Sequence, residues 1–194
     1  MTSSDLFVTA IEDARAGTPP QFPHGGVDAF LKCAPEWPPV RLAQEAVTLS
    51  AEIVDATQTA LYSFDGATYH CVALCPPQLD SPLTVPQGTS RFPWGIGTVM
   101  ASRFILIEDA AGLSASISSA GDVTLGALGL RSAVHLPLWA GNRSVGAVHL
   151  YWESPVAQWD DRPGALLRAL GVYALECIRR VAERDLRSAV EPSV

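Results

Sequence analysis

Apolar positions along this chain follow two rhythms, one of about 3.6 residues and one of 2, and the changes of rhythm outline its elements. Residues 5–16, DLFVTAIEDARA, set Leu6, Phe7, Ala10, Ile11 and Ala14 on one stripe, with Ser3 or Ser4 as a cap and Gly17 as a stop, which predicts a short amphipathic helix. The stretch GTPPQFPHGG that follows is expected to be a strap, because its prolines lack backbone donors and its glycines relax the chain. A helical fragment over VDAFLKCA leads into PEWPP. Apolar residues at 40, 42, 43, 46, 47, 49, 51, 53 and 54 then predict a long helix from about 38 to 56, with Pro38 and Pro39 in its first turn. There the rhythm shortens, and TALYSFDGATYHCVALC alternates on either side of Asp65-Gly66, as a hairpin does.

Residues 76–93 are dense in Pro, Gln, Ser and Thr and read as a long loop of the kind that carries function. Beyond it, Ile96 to Ser102 has room for two turns of helix, RFILIEDA reads as a strand apolar on both faces, and residues 111–130 show only a weak helical pattern at Val123, Leu125 and Leu128. SAVHLPLWAGNRSVGAVHLYWES is the clearest segment, two strands joined at Gly141-Asn142. Their nearly continuous hydrophobicity predicts a sheet covered on both sides. The last element is a helix of about 28 residues and about 42 Å, capped by Asp160 or Asp161, with acidic residues at its front and arginines toward its end. It outruns strands of about 17 to 20 Å. Its stripe of Leu166, Leu170, Tyr173, Cys177 and Val181, beside a second stripe of Leu167, Ala174 and Ile178, is therefore expected to pack partly on a second subunit.

Composition narrows the class of protein. An apolar fraction of 48% against 17% charged residues means that much of the 194-residue chain must be buried, and this length suits one domain. The formal charge is −7, and the 13 cationic residues are spread out, with only Arg179 and Arg180 adjacent. This argues against nucleic acid as a partner, because binding phosphates needs a concentrated positive face. No apolar run reaches the roughly 18 to 20 residues of a membrane span. Scattered Cys33, Cys71, Cys75 and Cys177, with no secretory leader at residues 1–10, favour a reducing cytoplasm.

The chemistry offered by the sequence is that of binding rather than turnover. No Gly-x-Ser-x-Gly, His-Glu-x-x-His or Walker pattern occurs, and Gly95-x-Gly97 lacks both the third glycine and the preceding strand of a dinucleotide cradle. Phe92, Trp94 and Val99, near a wall of Ile105 and Ile107, are candidates for an apolar recess, with Asp109 and Arg131 as polar anchors. His135 and His149 lie on neighbouring strands. A two-residue turn pairs 135 with 148 and sets the histidines on opposite faces, whereas one bulged residue brings them together. Cys71 and Cys75 are about 13 Å apart along a strand. That exceeds the roughly 7 Å limit of a disulfide, so with Ala73 they are expected to line one buried face.

Several phrases taken together, ALYSFDG, PWGIGTVMASRFILIEDA, LRSAVHLPL and RSVGAVHLYWESPVAQWDD, resemble the GAF domain, a ligand-sensing module related in architecture to PAS domains. The resemblance covers about residues 38–182. It implies an α+β fold: a GAF/PAS-like central antiparallel sheet of five to six strands, with the long N- and C-terminal helices on one face and a loop-covered pocket on the other. Residues 1–37 would then be an N-terminal helix and strap, and 38–190 the GAF-like domain. The subfamily signatures do not carry over. The only lysine is Lys32, far from a cyclic-nucleotide motif, and no cysteine for a bilin lies between Cys75 and Cys177. Loop 76–93 likewise lacks the cysteines of free methionine sulfoxide reductases.

The expected function is thus a cytoplasmic, non-enzymatic sensor. It would bind an unidentified small molecule in a pocket of Phe92, Trp94, Val99, Ile105, Ile107, Asp109, Arg131, His135 and His149, with no cofactor assigned. It would dimerise through Leu166, Leu170, Tyr173, Cys177 and Val181 and signal to a downstream protein. The alternative is a GAF-like scaffold that binds no ligand.

Overall fold

The structure, a computed structural model, describes residues 26–78, 81–88, 104–112 and 122–190. Helix α1 (Gly26–Cys33) and a 3-10 turn (Ala34–Glu36) precede the long helix α2 (Pro39–Val54). The hairpin β1 (Gln58–Phe64) and β2 (Thr68–Cys75) follows, then a short turn at Pro82–Thr84 and the two-residue strand β3 (Gln87–Gly88). After β4 (Ile105–Ile107) come a turn at Ala110–Gly112 and the one-and-a-half-turn helix α3 (Asp122–Ala127). Strands β5 (Ser132–Ala140) and β6 (Arg143–Trp152) lead into α4 (Gly164–Val190). The predicted helices at 5–16 and 96–102 lie outside the described residues.

The strands form one six-stranded sheet in the order β3-β2-β1-β6-β5-β4, and every neighbouring pair is antiparallel. Helices α2 and α4 pack against each other and against one face of the sheet. Leu42, Ala46 and Val47 of α2 and Leu167, Leu170, Ala174 and Ile178 of α4 close over Leu61, Val134, Leu136, Val148 and Leu150. The opposite, far face buries a second cluster: Ala60, Tyr62, Tyr69, Cys71, Ala133, Ala147 and Tyr151, covered among the described residues by Leu83, Ala110, Leu125 and Leu130. Two clusters on two faces explain why β5 and β6 read as nearly unbroken apolar runs.

Two irregularities set which residues face which way. The β5–β6 register shifts between Leu138 and Trp139, where Leu138 faces Gly146 while Trp139 faces Ser144, so Val145 is the extra residue. In β2 the pairing jumps from Leu61–Ala73 to Tyr62–Cys71, leaving Val72 as the extra residue. A bulge reverses the alternation beyond it. The second one corrects the sequence reading of the cysteines: Cys71 joins the far-face cluster, whereas Ala73 and Cys75 pack on the helix side.

The end of the chain also departs from expectation. Helix α4 begins at Gly164, not at an Asp160 or Asp161 cap, with Leu167 donating its first i→i−4 bond to Pro163. The two acids build the preceding turn instead. Asp160 accepts the backbone N–H and the guanidinium of Arg162, and Asp161 accepts from the Trp159 indole at 3.1 Å and from Arg168 at 3.2 Å. Trp152 packs near Trp159 and donates to the Asp55 carbonyl at 2.9 Å, which joins the end of β6 to the end of α2.

Gly146 shows how tightly the helix layer meets the sheet. A Cβ built there would stand 1.9 Å from the Tyr62 carbonyl oxygen and 2.8 Å from a Leu175 methyl carbon. Backbone cannot yield as a side-chain tip can, so Gly146→Ala is expected to lower stability by at least about 2 kcal/mol. Urea unfolding followed by circular dichroism reads this directly. An unchanged midpoint would mean that β1 and β6 are not so close.

Candidate functional site

The Val145 bulge resolves the alternative left open by the histidine spacing. His135 pairs directly with His149 across β5 and β6, so both project from the far face. Their rings stack with centroids 3.8 Å apart and planes within 7° of parallel. The Tyr62 ring lies 4.6 Å from His149, Tyr69 meets Tyr62 edge-on at 6.4 Å, and Tyr151 meets both histidines edge-on. This aromatic ladder crosses the middle of the sheet, flanked by Ala60, Ala133 and Ala147, which have no accessible surface.

Hydrogen bonds hold the ladder in place. His149 Nδ1 is 3.0 Å from the Tyr151 hydroxyl. Tyr62 donates its hydroxyl hydrogen to the Leu83 carbonyl at 2.9 Å, tying β1 to the 82–84 turn that covers this face. Burial governs the protonation of these groups, because each must hold its proton state away from water. It lowers His135 to about 4, and it lowers His149 well below the ordinary imidazole range, helped by the neighbouring His135. Burial likewise raises Tyr69 to about 12 and pushes Tyr151 up, against a smaller opposing effect of Tyr62. At neutral pH the ladder is uncharged.

The other candidate residues separate by position. Ile105 pairs with His135 and Ile107 with Ala133, so both isoleucines share the histidine face. Asp109 and Arg131 lie at its edge and bind each other, Arg131 Nε to Asp109 Oδ1 at 3.1 Å and Nη2 to Oδ2 at 2.5 Å. That pair lowers the Asp109 carboxyl and raises Arg131. Phe92, Trp94 and Val99 lie outside the described residues. On α4, Leu170 is 2% exposed and belongs to the intramolecular core, while Tyr173 is 40% exposed and touches the Phe30 ring at 6.4 Å. Leu166, Cys177 and Val181 are half-buried, the first two packed against the helix-side core.

The sequence reading missed Tyr62, Tyr69, Tyr151 and Cys71 as members of this face. Alternation alone sets Tyr69 and Cys71 on one face of β2, but the Val72 bulge pairs Cys71 with Tyr62, and the β1–β6 register, Ala60 opposite His149, brings Tyr62 alongside the histidines. Among the described residues, no group of three His, Cys, Asp or Glu side chains is arranged to hold a metal ion. No described helix is long and apolar enough to cross a membrane.

The buried histidines make a signed prediction. Their folded pKa lies below the unfolded value near 6.5, so the unfolded chain binds protons that the folded chain refuses. Stability is full above about pH 6.5 and is lost as pH falls toward about 4, by on the order of 3 kcal/mol from His135 alone. The variant carrying both His135→Gln and His149→Gln should show a flatter profile over that window in urea titrations. A wild-type profile equally flat there would contradict the burial of neutral imidazoles.

No protein-family model and no curated protein matches the sequence. Solved structures do match the fold. A GAF domain/HD domain protein from Geobacter sulfurreducens aligns at a TM-score of 0.58 with 15% identity, over 73% of this chain and 92% of that one. The blue-light absorbing form of the PixJ GAF domain from Thermosynechococcus elongatus aligns at 0.56 with 16% identity, over 83% and 94%. A phycoerythrobilin-bound GAF domain from a cyanobacterial phytochrome aligns at 0.57 with 12% identity, over 94% and 98%. With its antiparallel sheet, both long helices on one face and a second buried cluster on the other, the chain has the GAF-like fold.

Proposed function

We propose that the chain is a sensory module that binds a small molecule on the far face of its sheet and transmits occupancy to the packing of α2 and α4. The observation that carries this reading is the stacked His135–His149 pair with its Tyr151 and Tyr62 partners, buried on the face away from the long helices. Burying imidazoles and phenols opposes stability unless their polar atoms are matched, and an all-aliphatic face would serve packing better. Ligand selectivity is a reason to keep them. Related in fold, the phycoerythrobilin-bound domain carries its ligand within the same architecture.

The same reading assigns Ile105, Ile107, Asp109, Arg131, His135 and His149, with Phe92, Trp94 and Val99, to the ligand site. Residues 38–190 act as the sensing domain, with Phe30 of α1 docked into its core. A homodimer forms through Leu166, Tyr173, Cys177 and Val181 of α4, of which Tyr173 is the most exposed. A differential affinity of about 1 to 3 kcal/mol between two helix packings is enough to signal to a downstream protein. The module works without catalysis, and the scattered spacing of its four cysteines supports a cytoplasmic setting.

A scaffold reading has its own support in the far face itself, whose described side chains are packed as tightly as a core. Native mass spectrometry of protein purified from its own host separates the two. A dimer mass with a retained adduct of a few hundred daltons is expected, and a dimer without adduct would favour the scaffold. A chain that stays monomeric and adduct-free at every concentration would remove both.

A further inference from the structure

One row of α4 carries a pattern that packing within a single copy does not explain. At 3.6 residues per turn, Leu166, Ala169, Tyr173, Arg180, Arg184 and Arg187 fall within about 40° of one line along the helix, over about 32 Å. Ala169, Tyr173 and the three arginines are exposed, and Leu166 is half-buried. The sheet is met by a different side of the helix, with Leu167, Leu170, Ala174 and Ile178 in the core. The first half of the row is thus apolar and the second half basic, with no carboxylate between them on the line. Arg179 stands apart, because Glu176 and Glu183 hold it along a flank.

The two halves mirror each other. Counted from the midpoint between Glu176 and Cys177, Tyr173 and Arg180 are equally far along the helix, as are Ala169 and Arg184, and Leu166 and Arg187. A two-fold axis through that midpoint, perpendicular to the helix, sets each member of a pair against the other on a second copy, and does so twice, as an isologous contact requires. Arg180 then meets the ring of Tyr173, and a guanidinium is attracted to an aromatic face. That ring touches Phe30 of α1 edge-on and is still 40% exposed. Arg184 and Arg187 lay their methylene stems over Ala169 and Leu166 and keep their charged ends in water. The two helix dipoles also oppose each other. A parallel pairing of the same row reverses this outcome: each arginine meets its own mate, three like-charge contacts within about 11 Å of helix.

Resting on the dimer reading above, we propose that two copies join through antiparallel α4 helices, with the two-fold axis between Glu176 and Cys177 and Tyr173 of each copy facing Arg180 of the other.

A single charge tests the orientation by its sign. Ala169→Glu sets a carboxylate opposite Arg184 in both halves of an antiparallel pair, whereas in a parallel pair it sets two carboxylates against each other. Sedimentation velocity on the full chain over a range of protein concentrations, at about 0.1 M salt, gives the dimer dissociation constant. It should fall about fivefold in Ala169→Glu, although the variant adds a negative charge to a chain already at −7. Adding Arg184→Glu to that variant should abolish the gain. Ala169 is exposed, so the fold is retained, which circular dichroism checks. A dissociation constant that rises or stays unchanged in Ala169→Glu would overturn the antiparallel register while leaving the dimer reading intact, and so would a gain that survives Arg184→Glu. A wild-type chain that is monomeric at every concentration would remove both.

Discussion

Burial of both faces of a single sheet is the constraint on which this structure depends, because each strand must then present side chains suited to two different neighbours. The helix side needs aliphatic residues that fit ridges of α2 and α4, and it has Leu61, Val134, Leu136, Val148 and Leu150. Its fit is close enough that Gly146 and Gly171 leave no room for a Cβ without contacts under 3.0 Å. Among the described residues, the far side is covered by short turns and a short helix, through Leu83, Ala110, Leu125 and Leu130. Asymmetry of cover gives the two faces of the sheet different neighbours.

That asymmetry matches the chemistry. Polar groups on the helix side include Ser50, bonded to the Ala46 carbonyl one turn back, and Gln44, which reaches from α2 to the Leu74 carbonyl. On the far side, imidazoles and phenols are gathered into one stacked cluster. A neutral polar cluster in low dielectric is firmly held when its bonds are made. Any occupant that moved the 82–84 turn would be felt at Tyr62, since that turn accepts the Tyr62 hydroxyl bond. From Tyr62 the path to the helices is short: its strand neighbour Leu61 lies in the helix-side cluster, and its carbonyl oxygen faces Gly146 beside Leu175 of α4.

Outside the sheet, α4 is anchored at its start and along its length by charge. Asp161 holds Arg168 and Trp159, while Glu176 receives both Arg143 from the β5–β6 turn and Arg179 from the next helical turn. These pairs are partly solvated and contribute modestly one by one.

While the α+β class was implied by the resemblance to GAF domains, the sequence by itself determined the two hairpins at Asp65-Gly66 and Gly141-Asn142, the long helices and the double burial of β5 and β6. Those features follow from local periodicity and turn chemistry, which neighbouring residues decide among themselves. It also marked Ile105, Ile107, His135 and His149, which the tertiary structure places on one face. The pairing of the histidines, the separation of Cys71 from Cys75, the mutual capture of Asp109 and Arg131 and the loss of Leu170 to the core were decided only in three dimensions. For the histidines and the cysteines the physical reason is that a single bulged residue, Val145 or Val72, reverses which way a strand faces. Whether a strand bulges depends on the strands and helices packed against it, which local spacing does not encode.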